Sequence, residues 1–359
     1  MKWKLRTLGD LGEWGSGGTP LSSIPEYYNG TIPWLIIEDL NDGIVTSSQK
    51  TITELGLKNS SAKIVEPGTL LIAMYGSIGK LGITGIRCAT NQAIAFCRHD
   101  PKLVDVDFLF YYLLYSREKL LDLGKGNTQQ NIGQAVLKEY PIPLPPLEEQ
   151  KLQSVFLEMF GDYLNKIECQ FADVLQIPLT NGFFEKNEKY GTGNPIVWVD
   201  NLYHTNIIDI SALRRVQVSE KELEKYEVFD GDLLFTRSSL VAEGVGQANI
   251  VPKLEERTMF ESHIIRARVD KTKINPYYAL GLFRSQFGKS EIMKRAKTAT
   301  MTTIGQDALY EFPCPIPPLA LQEEFARVVA RVEALRARMD ESARQGEALF
   351  QSLLAESFG

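Results

Sequence analysis

An internal repeat constrains this chain more than any other feature of its sequence. Residues 131–137 read Asn-Ile-Gly-Gln-Ala-Val-Leu and residues 303–309 read Thr-Ile-Gly-Gln-Asp-Ala-Leu, so that Ile132 and Ile304 lie 172 positions apart. At the same spacing, residues 140–147 and 312–319 share the pattern aromatic-Pro-x-Pro-x-Pro-Pro-Leu. Two matching blocks at one spacing indicate that the chain is two copies of one folding unit. The second copy is predicted to begin near residue 166.

Weaker similarities extend the repeat toward the start of each copy. Residues 108–116 match residues 277–285 at a spacing of 169, and residues 67–71 match residues 230–234 at a spacing of 163. Insertions in surface loops account for such small shifts. Trp34 is matched with Trp198, and both are predicted to pack in the core from equivalent strand-like runs.

Each copy has the same order of parts. Short strand-like runs bounded by Gly and Asn come first, and an apolar helical stretch, a polar loop, a proline-rich passage and a long helix follow. The Pro-Pro pairs at 145–146 and 317–318 suit the first turn of a helix, because proline costs least there. This order predicts an α+β fold with two tandem α/β domains, at 1–145 and 166–316, each followed by a helix, at 146–165 and 317–359.

The two predicted helices carry an apolar seam. Its residues follow the alternating three- and four-residue steps of a coiled coil most clearly in the second helix. The seam positions that we expect to dock the other helix or a partner are Leu152, Val155, Met159, Phe325, Val328, Val332, Leu335, Met339, Leu349 and Leu353. The repeat register ends the first helix near residue 165, so we expect it to be about 27 Å long, against roughly 55 to 60 Å for the second.

The composition argues against several classes of protein. The longest apolar runs are much shorter than the roughly 20 residues that cross a bilayer, and residues 1–6 lack the apolar core of a signal peptide, so a cytoplasmic location is expected. Four cysteines without a C-x-x-C pair and three scattered histidines favour neither a structural zinc site nor a disulfide framework. The formal net charge of −6 opposes DNA binding through bulk electrostatics, unless basic residues cluster in the domains or a partner supplies positive surface.

The duplicated order of a variable α/β domain, the pattern P-I-P-x-P-P-L-x-x-Q and a long heptad helix resembles the DNA specificity subunit of type I restriction-modification systems. Residues 76–80, Gly-Ser-Ile-Gly-Lys, and the terminal helix are also similar to that family. The resemblance covers essentially the whole chain. It implies that each domain is a target-recognition domain that reads one half of a split duplex DNA target in phage defence. It also implies that the two helices pair as an antiparallel coiled coil.

The resemblance implies a division of labour among subunits as well. This chain is expected to be non-catalytic, to hold neither a cofactor nor a metal, and to dock two methyltransferase subunits that bind S-adenosylmethionine. A separate restriction and translocation subunit is expected to use ATP and Mg²⁺. Family members commonly have two helices of similar length, so the shorter first helix leaves the separation of the half-sites open. Because the two domains differ at nearly every polar loop position, the target is predicted to be bipartite, asymmetric and non-palindromic.

Polar and basic side chains on two loops of each copy are the candidate DNA contacts, because such side chains reach phosphates and base edges. The candidates are Tyr75, Gly76, Ser77, Lys80, Lys125, Asn127, Thr128, Gln129, Gln130, Arg237, Ser238, Ser239, Lys297, Thr300 and Thr302. A solvated hairpin turn is an equal alternative for the loops after residues 74 and 236. Asn91-Gln92 is matched with Ser262-His263. These residues are interpreted as core or turn residues in preference to DNA contacts.

Two segments that resemble catalytic motifs depart from them. Residues 76–81 do not fit a phosphate-binding loop, because Met74 stands where its first glycine belongs and Leu81 where Ser or Thr should follow the lysine. Residues 275–278, Asn-Pro-Tyr-Tyr, lack the second proline of the adenine methyltransferase motif and are predicted to start a core helix. The alternative function is a protein-binding scaffold or inhibitor module that has lost DNA binding, which the acidic net charge favours.

Overall fold

The computed structural model describes residues 4–123, 131–164, 166–184, 190–203, 206–239, 244–298 and 301–358. The side chains at 123 and at most positions after 335 lie outside this description. The chain divides into two compact units, Trp3–Ser154 and Val155–Gly359. The division falls inside the helix that follows the first proline-rich passage, so the end of that helix belongs to the second unit.

The first unit contains two main sheets and a short ribbon. Its strands are β1 (Lys4–Thr7), β2 (Gly12–Ser16), β3 (Tyr28–Leu35), β4 (Gly43–Val45), β5 (Thr51–Ile52), β6 (Ile64–Val65), β7 (Leu70–Ala73), β8 (Leu81–Thr84), β9 (Cys88–Thr90), β10 (Ile94–His99) and β11 (Pro141–Leu144). Its helices are α1 (Glu54–Lys58), α2 (Val106–Tyr115), α3 (Arg117–Leu123), α4 (Gln134–Lys138) and α5 (Leu147–Phe160). One sheet has the order β2-β10-β7-β8-β4, another has the order β5-β3-β9-β6, and β1 pairs with β11.

The second unit repeats this plan. Its strands are β12 (Thr180–Asn181), β13 (Tyr190–Val197), β14 (Arg214–Val216), β15 (Glu227–Val228), β16 (Leu233–Thr236), β17 (Ser238–Ser239), β18 (Ala248–Ile250), β19 (Thr258–Phe260), β20 (Ile264–Ala267), β21 (Lys297–Thr298) and β22 (Thr302–Thr303). Its helices are α6 (Glu220–Tyr226), α7 (Pro276–Arg284), α8 (Gln286–Arg295), α9 (Gln306–Tyr310) and α10 (Leu319–Phe358). The sheets have the orders β12-β20-β16-β18, β14-β13-β19-β15 and β17-β22-β21.

The two units share one topology, which confirms the predicted α+β fold with tandem domains. The order β5-β3-β9-β6 corresponds strand by strand to β14-β13-β19-β15, and the central pairs, β3 with β9 and β13 with β19, are both parallel. The pairs β3 with β5 and β13 with β14 also have the same irregularity of register, between Tyr28 and Ile32 and between Tyr190 and Asn194. A shared irregularity indicates that both copies follow one backbone plan.

The predicted match of Trp34 with Trp198 is wrong. Trp34 lies in β3 opposite Ala89, whereas Ile196 holds the equivalent place in β13, opposite Met259. Trp34 is 5% exposed and donates its indole N–H to the carbonyl of Gly18 at 3.0 Å. A single shared residue type cannot fix a strand register, because a shift of two positions keeps the side chain on the same face.

Trp198 follows β13 and is only half-buried. Its backbone caps the short 3₁₀ helix Val199–Leu202, and Arg214 lies 4.5 Å from the centre of its ring. Its indole nitrogen has no hydrogen-bond partner within the described ranges. Its environment is therefore a partly exposed cation–π contact and not a core site like that of Trp34.

A buried glutamine joins the proline-rich passage to the core helix in each copy. Gln150 accepts a hydrogen bond from the backbone N–H of Asp105, the residue that caps α2, at 2.9 Å. Gln322 accepts the same bond from Asn275, the cap of α7, at 2.8 Å. Each glutamine also donates to the carbonyl of the first proline in its Pro-Pro pair, at 2.8 and 2.7 Å. Both glutamines are fully buried, so the Pro-Pro-Leu-x-x-Gln pattern is a structural tie.

The helices that follow the proline-rich passages differ in length. Helix α5 has 14 residues and α10 has 40, or about 21 and 60 Å at the usual rise. Among the predicted seam residues, Leu152 and Phe325 are buried, Val155, Met159, Val328 and Val332 are half-buried, and Leu335 is 47% exposed. The side chains of Met339, Leu349 and Leu353 lie outside the described part of the chain.

Aromatic side chains join the end of α5 to the start of α10. Phe156 and Phe160 each lie 5.5 Å from Phe325, measured between ring centres, and Phe160 lies 4.7 Å from Tyr278 of α7. Gly281 of α7 permits this packing, because a Cβ there would approach the Phe325 and Phe156 rings to 2.8 and 2.9 Å. These contacts connect the two helices in the second unit, and the antiparallel coiled coil beyond them stays a prediction.

Candidate nucleic-acid interface

Three segments of the first unit meet just after β7. Met74 donates its backbone N–H to the carbonyl of Ala93 at 2.8 Å, and its own carbonyl accepts the N–H of Ile132 at 2.9 Å. Tyr75 forms an isolated antiparallel bridge with Asn131. The loop at 75–80, the turn at 91–93 and the segment that begins at 131 are therefore neighbours.

The second unit makes the same junction with different side chains. Arg237 donates its backbone N–H to the carbonyl of His263 at 2.7 Å and accepts the N–H of Ile304 at 2.9 Å. Ser238 pairs with Thr303, as Tyr75 pairs with Asn131 in the first unit. In the second unit the described parts of the two loops that the sequence predicted as DNA contacts thus lie together with a turn between strands, and in the first unit Asn131 meets Tyr75 in the same way.

Side chains of the first junction are held in place by local bonds. Tyr75 is 36% exposed and donates its hydroxyl to the carbonyl of Gln92 at 2.7 Å, and Ser77 is also exposed. Gly76 and Gly79 have φ values of +73° and +76°, in the left-handed region that glycine adopts without strain.

Lys80 is half-buried, with its ammonium 3.4 Å from the carbonyl of Ile37. The predicted contacts Lys125, Asn127, Thr128, Gln129 and Gln130 lie outside the described residues.

The second junction opens into a groove of ≈ 770 Å³. Its polar lining includes Arg237, Ser238, His263, Arg295, Lys297 and Thr303. Arg237 and Lys297 are exposed and Ser238 is half-buried, so these three predicted contacts line the surface. Ser239 and Thr302 are 8% and 3% exposed, and Thr300 lies outside the described residues. The exposed neighbour Thr303 lines the groove where Thr302 faces inward.

Basic and acidic side chains both line the groove. Arg237, Arg295 and Lys297 lie there with Asp307 and Glu311, and Arg295 is paired with Glu291 at 2.8 Å. The whole chain has a formal net charge of −6. The exposed Arg237 and Lys297 suit contact with a polyanion, because phosphates are neutralised by nearby Lys and Arg and not by the average charge of the protein.

Sequence reasoning gave too little weight to the turn between the paired strands. The N–H of Glu261 bonds to Val197 and that of Asn91 bonds to Leu35, so Asn91 corresponds to Glu261 and not to Ser262. The predicted match was therefore one residue out of register. With this correction His263 corresponds to Ala93, and its side chain lines the groove. Arg295 of α8 lines the same groove, and this shared location depends on the fold.

Within the described ranges, no group of three or more His, Cys, Asp or Glu side chains is placed to hold a metal ion. In those ranges, none of the helices combines the length and the apolar composition that a membrane span requires.

Comparison with known proteins supports the duplicated plan. Residues 1–175 and 168–341 each match the type I restriction modification DNA specificity domain. The EcoKI type I restriction enzyme specificity subunit of Escherichia coli K12 is 25% identical over 387 aligned positions, which cover 91% of this chain and 82% of that protein. The MjaIX specificity subunit of Methanocaldococcus jannaschii is 31% identical over 201 positions, 52% of this chain and 46% of that protein, about half its length.

Among solved structures, the HsdS subunit from Thermoanaerobacter tengcongensis aligns with 99% of this chain and 96% of that chain, with 15% identity and a TM-score of 0.36. The family assignment depends on the sequence matches. Two matched domains cover most of the chain and coincide with the two copies of the fold. The chain belongs to the type I restriction-modification DNA specificity family.

Proposed function

We propose that this chain is the non-catalytic DNA specificity subunit of a type I complex and that its two domains read the halves of a bipartite, asymmetric target. The observation that carries this proposal is the pair of equivalent junctions. Their backbones are bonded alike, but the residue at the shared position is the buried Met74 in the first junction and the exposed Arg237 in the second. Side chains of different hydrogen-bonding type select different bases, so unlike junctions favour unlike half-sites.

The partners follow from the same proposal. Helices α5 and α10 dock two methyltransferase subunits, which bind S-adenosylmethionine, and a restriction subunit joins the complex with ATP and Mg²⁺. The exposed Leu335 on α10 is available for such a contact. The chain itself contributes recognition and spacing in the cytoplasm.

Methylome sequencing of cells that express the complex tests the target. We expect N6-methyladenine in a motif of two unlike segments separated by a spacer, and we expect the motif to disappear when this chain is deleted. A continuous or palindromic motif would contradict the reading of separate halves by separate domains.

A salt titration separates DNA reading from the scaffold alternative. Fluorescence anisotropy of the methyltransferase complex with a labelled duplex should give a steep linear fall of log K with log salt concentration, since bound Lys and Arg release counterions. Binding that is weak and insensitive to salt would favour the scaffold. Complexes with the Lys297→Ala variant should have a slope smaller by about one.

A further inference from the structure

A buried carboxylate stands behind the groove of the second domain. Glu261 is 2% exposed, and its Oε2 accepts the backbone N–H of His263 at 2.9 Å and lies 2.8 Å from that residue's Nδ1. Its Oε1 is buried without a hydrogen-bond partner in the described part of the chain. Burial of an incompletely bonded carboxylate costs free energy, so its presence requires an explanation.

The first domain provides an internal control for that turn. Asn91 holds the position of Glu261, and its Oδ1 accepts the N–H of Ala93 at 3.1 Å, as Glu261 accepts the N–H of His263. A neutral amide is therefore sufficient to form the turn. The carboxyl group and the imidazole are additions found in the second domain, beyond what this turn needs.

The contact with Glu261 fixes the chemistry of the imidazole. Because Oε2 of Glu261 already accepts the backbone N–H of His263, the Nδ1 of the same residue is placed to donate to that oxygen. In a neutral imidazole the other nitrogen, Nε2, is then an acceptor. Its ring lines the groove and the side chain is 56% exposed, and Nε2 has no partner among the described residues. Beside Arg237, Arg295 and Lys297, which only donate, this nitrogen adds an uncharged acceptor to those of Asp307 and Glu311.

We propose that His263 is a specificity-determining residue that accepts a hydrogen bond from the exocyclic amino group of an adenine or a cytosine in the second half-site, with Glu261 as its positioning residue. In the major groove, adenine N6 and cytosine N4 are the donors that an acceptor can read. Arg237 and Lys297 of the same groove suit phosphates or guanine acceptors, so His263 adds a distinct selection. The assignment rests on the proposed function, the reading of DNA by this domain.

Functional-group deletion in the DNA tests this contact. From the target defined by methylome sequencing, duplexes are made in which one adenine at a time is replaced by purine, or one cytosine by 2-pyrimidinone, both without the amino group. The wild-type complex should lose about tenfold in affinity at one position of the second half-site. The His263→Ala complex should bind more weakly to the intact target and show no further loss at that position, since contacting groups are not additive.

Matched variants separate positioning from folding. The double variant Glu261→Asn/His263→Ala installs the pair found in the first domain, keeps the turn bond, and should behave like His263→Ala. Glu261→Gln retains an acceptor long enough for the ring and should keep the discrimination. Glu261→Asn alone should lose part of it, because the shorter side chain leaves Nδ1 without its acceptor.

Two results would overturn the assignment. One is a His263→Ala complex that still distinguishes every amino-deleted base as the wild type does, and the other is a loss of equal size on all sequences, as for a phosphate contact. Failure of the underlying function gives a different result, because the wild-type complex itself would then show no bipartite target.

Discussion

The first and second domains place different residues at one and the same backbone junction. Met74 is 5% exposed, whereas Arg237, whose N–H and carbonyl make the equivalent two hydrogen bonds, is exposed at the groove. Asn91 and Ala93 are likewise replaced by Glu261 and His263. The backbone bonds maintain the fold, and the side chains are left to vary. Recognition can therefore differ between the two copies without a change of scaffold.

The largest expected effect concerns a residue that belongs to the first copy by sequence and to the second unit by packing. Phe160→Ala removes a fully buried ring from the contacts with Tyr278 and Phe325, so we expect the second unit to lose about 3–5 kcal/mol of stability. Hydrogen exchange measured peptide by peptide should show faster exchange in residues 166–322 and little change in residues 12–99.

Phe184→Ala is the matched control, because that ring is 76% exposed and its removal should change stability little. An equal loss of protection in both units after Phe160→Ala would contradict the assignment of the end of α5 to the second unit.

The next effect tests what the two copies share. Gln150→Met and Gln322→Met each leave a buried backbone N–H and a proline carbonyl without a partner, which should cost about 1–3 kcal/mol. Two bonds are common to both copies and Gln150 donates a third, to the carbonyl of Leu103 at 3.0 Å, so each variant should destabilise its own unit and Gln150→Met should cost the more. Urea unfolding and hydrogen exchange measure this, with the exposed Gln49→Met as control. A cost confined to one copy would break the equivalence.

The difference between Met74 and Arg237 at the two junctions predicts an effect on the binding of one half-site only. Arg237→Met installs the first domain's residue at the junction and should weaken reading of the second half-site by about 1–3 kcal/mol if the arginine contacts a base. Competition binding with duplexes altered in one half-site at a time measures the loss. Arg87→Met changes the same charge at an exposed ion pair with Glu66 and serves as control. A loss that also affects selectivity in the first half-site would argue against separate reading.

The smallest effect is on thiol reactivity, which also differs between the domains. Burial raises the pKa of Cys88 and of Cys97 in the first domain to about 12. In the second domain, a hydrogen bond with Cys314 lowers the pKa of Cys169, which is partly exposed. Since the thiolate is the reactive form, iodoacetamide at pH 8 should modify Cys169 first, and the rate should rise with pH.

Mass spectrometry of the alkylated peptides identifies the reacting residue, and Cys169→Ser should abolish the rapid phase. Cys88 and Cys97 should react only after unfolding in urea. Rapid labelling of either one in the folded protein would show that the first domain's core is more open than its burial indicates.

Much of the architecture was predictable because it depends on local pattern. The Pro-Pro pairs located the starts of α5 and α10 within two residues, since proline fits the first turn of a helix. The apolar run after Gly68 and that after Asp232 became β7 and β16. The loops that follow both strands were correctly expected at the surface, where Tyr75 and Arg237 are exposed.

Other features depend on distant partners and were missed. The heptad pattern placed Val155 and Met159 in the apolar seam of α5, but both are only half-buried. The neighbouring rings of Phe156 and Phe160 contact Phe325 instead, because this is the face of α5 that packs against α10. Ser239 and Thr302 look as polar as their neighbours in sequence and nevertheless point inward, since alternate residues of a paired strand face opposite sides.

The sequence by itself determined the duplication, because motifs repeated at a fixed spacing impose the same backbone bonds twice. It also predicted that the helix after the second proline-rich passage is the longer of the two. Only the tertiary structure decided which side chains share the groove, since Arg237, His263 and Lys297 come from separate segments and meet through strand pairing. The contact of Glu261 with the imidazole of His263 likewise became visible only in the tertiary structure. A hydrogen bond depends on distance and direction and not on residue type alone.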